Sequence, residues 1–321
     1  MRETGRIFLA MKDKHFLSIS DLTGPEIKDL FTAAKFMKKQ LKKIGFNKPV
    51  LNKKTLVMMF EKPSLRTRLS FEAGMTQLGG HAVYLGMAEI GMGVREKIAD
   101  VARVTSGMGD LIVARTFKHQ SIEELAEFSK VPVVNGLSDL EHPCQALADF
   151  MTILEVKGIL AGLTICFIGD GENNIAHSLC LGSAILGIDF KCASPQGYFL
   201  KSEILEKARE IAGETKTLIQ QTVDPEKAIY KADVVYTDTW ISMGDEKDKD
   251  TRLKTFLPYQ VTGKLMELAD SQAIFMHDLP AYRGQEVTRE VIDGPQSVVF
   301  KQAHNRLHVQ KALLIKLVKK N

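Results

Sequence analysis

Short apolar runs alternate with stretches of helical spacing along the whole chain, and no other feature constrains the fold as strongly. Thr55–Phe60, His81–Leu85, Leu111–Arg115 and Val131–Asn135 read as strands in the first half, and Leu163–Ile168, Asp189–Ala193, Val234–Asp238 and Ala273–Met276 in the second. Helices are expected at Leu22–Lys43, Leu65–Leu78, Ile98–Ser106, Ile122–Lys130, Pro143 to about Val156, Ala176–Leu186, Lys201–Ala212 and Leu257–Leu268, and last from about Asn305 to Lys319. Strands apolar on both faces and linked through helices form parallel sheets with right-handed crossovers. The fold class is therefore α/β, with two doubly wound domains whose four- to five-stranded parallel sheets are flanked by helices. With 321 residues the chain can build two cores, one from residues 1–150 plus the terminal helix 305–321 and one from residues 151–304. The helix opening at Pro143 and the C-terminal helix join them.

Local signals support these elements. Thr23 and Glu26 have the form of a capping box, Ser121 and Glu124 suggest another before Ile122, and Pro143 suits a first helical turn. A hydrophobic content of 45% and a charged content of 26% are those of a globular protein. The net charge of +4 is mild and no basic stripe is interleaved with aromatics, which argues against nucleic acid as a partner and leaves small anions. No apolar run approaches the ~20 residues that span a bilayer. Cys144, Cys166, Cys180 and Cys192 lack metal-site spacing, which fits a reducing, cytoplasmic setting. Met1–His15 is too short in apolar residues for a signal peptide and reads as a disordered leader.

The chemistry is expected at strand ends, where open α/β sheets bind ligands. After Phe60 the chain runs Glu61-Lys62-Pro63-Ser64-Leu65-Arg66-Thr67-Arg68, so a proline stops the strand and a serine opens a helix. The first amides of that helix lack internal partners and carry partial positive charge, and Arg66 and Arg68 add guanidinium forks. This is a candidate anion cradle; its plainer reading is a capped helix with two solvated arginines. Arg115-Thr116 ends another strand, and His142-Pro143-Cys144-Gln145 opens a helix. Gly169-Asp170-Gly171-Glu172-Asn173-Asn174 invites a dinucleotide reading, but Asn174 replaces the third glycine and Ser194-Pro195 stands where an acidic residue should end the next strand. Asp238-Thr239-Trp240-Ile241-Ser242-Met243-Gly244, His277-Asp278-Leu279-Pro280 and Asn305-Arg306-Leu307-His308 complete the set.

Ser64-x-Arg66-Thr67-Arg68 resembles the carbamoyl phosphate loop of the aspartate and ornithine carbamoyltransferase family. The preceding Phe-Glu-Lys-Pro and the Ser242-Met243-Gly244 loop are similar to the ornithine branch. The resemblance spans about Leu17 to Lys319, with the motifs in family order. It implies a first domain that binds carbamoyl phosphate through Ser64, Leu65, Arg66, Thr67, Arg115, His142, Gln145, Leu279 and Arg306. Thr67, Arg115 and His142 would form an oxyanion hole for the carbamoyl oxygen while Gln145 accepts from its NH2. The second domain would bind ornithine through Asn174, Asp238, Ser242, Met243, Asp278 and Leu279. Arg66, Thr67, Arg115, His142, Gln145, Asp278 and Arg306 would be catalytic. The implied reaction is transfer of the carbamoyl group to the δ-amine of L-ornithine, giving citrulline and phosphate in arginine biosynthesis. It calls for no metal and no organic cofactor. Family members are trimers, or multiples of trimers, with active sites shared between subunits.

The pattern breaks at two places. Gly91 stands where the family has a glutamine or histidine that reaches a neighbouring subunit's phosphate, and Arg95 or Lys97 could substitute. Asp278 replaces a cysteine, which places a second carboxylate beside Asp238. Two carboxylates beside one ammonium favour its protonated form and shift the pH optimum upward relative to Asp278→Cys, unless they share a proton. The change also leaves room for another acceptor, such as putrescine or an acylated ornithine. A catalytically silent anion-binding paralogue and a nucleotide-binding oxidoreductase are the rival classes.

Overall fold

The computed structural model describes residues 15–93, 95–241 and 248–318; Ser242, Met243, Gly244, Lys319 and Met1 to Lys14 lie outside them. The chain divides into two compact units, one running to Leu147 and resuming at His304, the other Ala148–Ala303.

In the first unit the elements follow as α1 (Gly24–Ile44), β1 (Thr55–Phe60), α2 (Leu65–Gln77), β2 (His81–Gly86), α3 (Met87–Ile90), α4 (Ile98–Met108), β3 (Leu111–Arg115), α5 (His119–Phe128), β4 (Val133–Leu137) and the start of α6 (Pro143–Lys157). The four strands are parallel in the order β2-β1-β3-β4. All of β1 beyond Thr55 is buried, as its unbroken apolar run requires. The capping box at α1 forms, with Thr23 accepting from the Glu26 amide and Glu26 reaching back to the Thr23 amide. Met59, Ile112, Ala114, Ile122 and Leu125 pack in one core cluster; each fully buried Ile or Leu contributes about 1.5–3 kcal/mol.

In the second unit come β5 (Thr164–Ile168), α7 (Asn174–Leu186), β6 (Asp189–Ala193), α8 (Ser202–Thr215), β7 (Ile219–Thr222), α9 (Pro225–Ile229), β8 (Val234–Tyr236), α10 (Lys249–Phe256), α11 (Gly263–Met266), β9 (Ile274–Met276) and α12 (Arg289–Ile292). The five strands are parallel in the order β7-β6-β5-β8-β9. Cys166, Ile168, Val235, Phe275 and Ile292 belong to its core. Helix α13 (Val299–Val318) ends the described chain; both division points fall inside helices, α6 and α13.

Four local expectations fail, three of them for identifiable reasons. Helix α5 starts at His119 with Lys118 as its cap, so Ser121 lies inside the first turn and its box does not form. The expected helix Leu257–Leu268 is instead the end of α10, a 3-10 turn Leu257–Tyr259 and a fresh helix capped by Thr262. Pro258 and the bridge between Val261 and Val287 break it. Strand β7, Ile-Gln-Gln-Thr, has no apolar run because it is a sheet edge and only Ile219 is buried. The final helix also begins six residues before Asn305, at Val299.

Candidate active site

Each sheet has a point where the strand order reverses, and the polar side chains gather there. In the first sheet this lies between β1 and β3. Ser64 caps α2, its Oγ accepting from the Thr67 amide at 3.2 Å. Thr67 is buried and Arg66 half-buried on the same first turn. Leu65, the first residue of α2, turns its side chain to solvent. The end of β1 fixes the end of β3: the Glu61 amide donates to the Arg115 carbonyl at 2.8 Å, and Glu61 Oε2 accepts from the Phe117 amide at 2.7 Å. A register shift between Ala114 and Arg115 against β4 re-aims Arg115 as it leaves the strand.

His142 and Gln145 lie on either side of Pro143 and Cys144 at the start of α6, and all four are buried. Arg306 ties this half together. Its Nη1 donates to Gln145 Oε1 at 2.9 Å and its Nη2 to Thr67 Oγ1 at 2.5 Å. Thr67, Arg115, His142, Gln145 and Arg306 are each no more than 7% exposed, so both arginines sit in a low-dielectric setting. Burial outweighs the nearby Arg306 charge at Cys144 and pushes its thiol up to about 12, so it stays protonated and inert. Arg68 does not join the cradle: its guanidinium lies 3.9 Å over the Tyr84 ring and its Nε donates to Glu72 at 2.9 Å. Gly91 ends α3 in the left-handed conformation, where a Cβ would stand 2.8 Å from that of Arg95. A glutamine or histidine at this place is therefore strained in this loop. Arg95 Nη2 donates to the Glu89 carbonyl at 3.0 Å.

In the second sheet the reversal lies between β5 and β8. Gly171, in the loop after β5, allows a close approach that a Cβ would block at 2.7 Å from the Tyr198 carbonyl. Asn173 caps α7 and donates through Nδ2 to Asp238 Oδ2 at 2.7 Å, while the Thr239 amide donates to Asp238 Oδ1 at 2.7 Å. Asn174 is the first residue of α7. A carboxylate oxygen of Asp238, one of Asp278 and a His277 ring nitrogen all lie within 4.8 Å of one another. Burial, then the charge of Asp278, drives the Asp238 carboxyl well above the usual carboxylate range.

His277 has no lone pair to offer a metal. Its Nδ1 accepts from the Leu279 amide at 2.9 Å and its Nε2 lies 3.2 Å from Glu286 Oε1. Burial lowers the pKa of His277, but hydrogen bonds to Asp278 and Glu286 and the Asp238 charge reverse this and bring it to about 9. The Leu279 amide donates to Nδ1, which also lies 3.4 Å from Asp278 Oδ1. Leu279 holds its amide there at φ 62°, a conformation that costs a branched side chain roughly 1 kcal/mol.

Several contributors were not visible in the sequence. Arg252, on the unexpected helix α10, is buried between the Tyr198 and Phe256 rings, ion-pairs with Asp170 and donates to the Trp240 carbonyl at 2.6 Å. It thereby fixes both the loop before Asn173 and the segment after Asp238. Behind the pair, Gln302 accepts from the His277 amide at 3.1 Å and donates to Asp149 at 2.7 Å, and Tyr236 donates to Asp149 at 3.1 Å. A lone Gln or Arg in a helical stretch carries no sequence signal of such a role.

The fold and these strand-end clusters define a doubly wound α/β protein with ligand groups at the reversal point of each sheet. The chain belongs to the aspartate/ornithine carbamoyltransferase family: residues 14–155 match the model of its carbamoyl-P binding domain and residues 161–317 that of its Asp/Orn binding domain. It is similar to the ornithine carbamoyltransferase of Anoxybacillus flavithermus, 49% identical over 97% of this chain and 98% of that one. The Bacillus subtilis ornithine carbamoyltransferase is 49% identical over 94% of this chain and 92% of its own. Among solved structures, the ornithine carbamoyltransferase from Pyrococcus furiosus superposes with a TM-score of 0.91 at 47% identity, covering 95% of this chain and 97% of that one.

Proposed function

We propose that the protein transfers the carbamoyl group of carbamoyl phosphate to the δ-amine of L-ornithine, giving L-citrulline and phosphate. The observation that carries this reading is the Arg306 fork on Thr67 and Gln145 beside the Ser64-capped helix, a set of donors preorganised for an anion and a carbonyl oxygen. In this reading residues 1–150 with 305–321 bind carbamoyl phosphate and residues 151–304 bind ornithine. The phosphate sits on the Ser64, Leu65, Arg66 and Thr67 amides and the Arg66 guanidinium. The carbamoyl oxygen takes donors from Thr67, Arg115 and His142. Gln145 Oε1, which can accept two hydrogen bonds, holds the carbamoyl NH2 while accepting from Arg306. Arg306 aligns both.

The δ-nitrogen attacks the carbonyl carbon, forming a C–N bond and an oxyanion. The intermediate collapses by breaking the C–O bond to phosphate, which carries away the proton lost from nitrogen. Asn174, Ser242, Met243 and Leu279 hold the α-amino acid part of the acceptor, and Asp238 with Asp278 holds its amine. No step calls for a metal or cofactor. Leu65 and Leu69, one turn apart on α2, and Val104 and Met108, one turn apart on α4, are 54–81% exposed. These apolar side chains support a homotrimer or multiple of trimers. Four buried thiols suit a reducing cytoplasm, and the ornithine relatives suit arginine biosynthesis. Among the described residues no helix is long and apolar enough to cross a membrane.

Asp278 supports a second reading with the same donor and another amine, such as putrescine or an acylated ornithine. One assay separates them: phosphate release from carbamoyl phosphate with L-ornithine, putrescine, N-acetylornithine or L-aspartate, with the product identified by mass. Fastest turnover with L-ornithine and formation of citrulline is the expected result. Faster turnover with another amine, or none with any, overturns the first reading.

A further inference from the structure

We propose that Asp238 and Asp278 work as one carboxyl pair holding a single proton, so that an acceptor arriving as an ammonium ion is seated as the neutral amine while one proton leaves to solvent. The inference rests on the ornithine reading for the identity of the acceptor, but the pair itself stands on geometry. Asp238 follows β8 and Asp278 follows β9, which are adjacent strands, and their oxygens approach one another and His277 within 4.8 Å. Asp238 has neutral donors, the Asn173 side chain and the Thr239 amide. Among the described residues the other titratable groups facing the pair are His277, whose Nδ1 accepts from the Leu279 amide; Glu286 behind His277; and Tyr236 with Asp149. Two full negative charges at this spacing in a buried site are costly, and one proton between them removes the cost. The upward shift of Asp238 agrees with this arrangement.

The proton count decides the chemistry. A pair that keeps one proton carries the same net charge as one aspartate beside a neutral thiol. The excess attraction for ammonium expected of two ionised carboxylates therefore does not arise. When the ammonium enters, the proton already on the pair leaves to water. An N–H bond of the ammonium then breaks, its electron pair stays on nitrogen, and that proton becomes the one the carboxylates share. The amine is left ready to attack.

The test uses the whole protein with its aspartate carboxyl carbons labelled with carbon-13. In wild type, Asp238 and Asp278 are expected to titrate as a coupled pair with one step above the ordinary carboxylate range, and in Asp278→Asn the Asp238 step returns toward that range. Calorimetry at pH 7 in buffers of different ionisation enthalpy should then show about one proton released per L-ornithine bound. Asp278→Asn should release none, and L-norvaline, which lacks the terminal amine, none in either protein. Ordinary titration of both carboxyls near pH 4, or equal proton release with ornithine and norvaline, overturns the proposal. A coupled step in a protein that fails to bind ornithine leaves the pair standing and overturns the acceptor reading instead.

Discussion

The two sheets solve opposite electrostatic problems at equivalent places. At the β1/β3 reversal, permanent cations and a helix terminus are packed among neutral hydroxyl and amide groups, and Arg306 is satisfied by Thr67 and Gln145. At the β5/β8 reversal, two carboxyls meet beside His277, and Asp238 accepts from the Asn173 side chain and the Thr239 amide. The first cluster keeps one charge state over the whole physiological range because arginine does not titrate there. The second, as proposed above, keeps its charge but exchanges its one proton with its ligand. The contrast assigns anion binding and carbonyl polarisation to fixed charge, and amine handling to a movable proton.

The comparison breaks most visibly at Arg306. Arg306→Met should lower kcat by about 10²-fold, the scale of loss when aligned groups are misplaced by about 1 Å, and leave the acceptor KM within about threefold. Equal damage to both would place Arg306 outside the donor's half alone. Next in size, Asp238→Asn should raise the ornithine KM roughly 10–100-fold through loss of a charged hydrogen bond, with the carbamoyl phosphate KM unchanged. Steady-state kinetics with each substrate varied reads both.

The third prediction concerns stability. Because Asp238 binds its proton more tightly folded than unfolded, its contribution is present at low pH and is lost as pH rises from about 4 through its folded value. Asp278→Asn leaves the burial of Asp238 but removes the neighbouring charge, so its Tm should exceed that of wild type at pH 8, with the gap closing toward pH 5 in calorimetric scans. A gap independent of pH would deny the repulsion. Fourth, Arg95→Ala and Lys97→Ala should each raise the carbamoyl phosphate KM about three- to tenfold if a loop cation stands in at Gly91, consistent with the roughly 1 kcal/mol of an exposed ion pair. No change would remove both from the site. Smallest, Arg68→Ala should alter turnover less than about twofold, since its ring stacking and Glu72 contact keep it out of the cradle.

The strand ends were legible in the sequence because each combined a buried apolar run with a change of residue class. Phe60 before Pro63 and Ser64, Ile168 before Gly169, and Tyr236 before Asp238 all mark the point where a sheet stops and a ligand side begins. The sequence motif placed Arg68 in the cradle, whereas an acid one turn along and an aromatic on β2 compete for its guanidinium. Strand β7 was illegible since an edge strand needs few apolar residues, and Ser121 misled because any Ser-x-x-Glu mimics a cap when the true start lies slightly earlier. Arg252, Gln302 and Glu286 act through contacts with residues far along the chain, which periodicity cannot report.

Ser64 shows what ligand chemistry asks of a structural residue. Serine, threonine, aspartate and asparagine all begin helices well, and for stability alone they are close to interchangeable. A hydroxyl, however, takes the Thr67 N–H with a lone pair and still has its own hydrogen to give. An aspartate would start the same helix and meet the incoming dianion with like charge. At this position folding tolerates four amino acids, and a phosphate seated as proposed rules out at least the charged one.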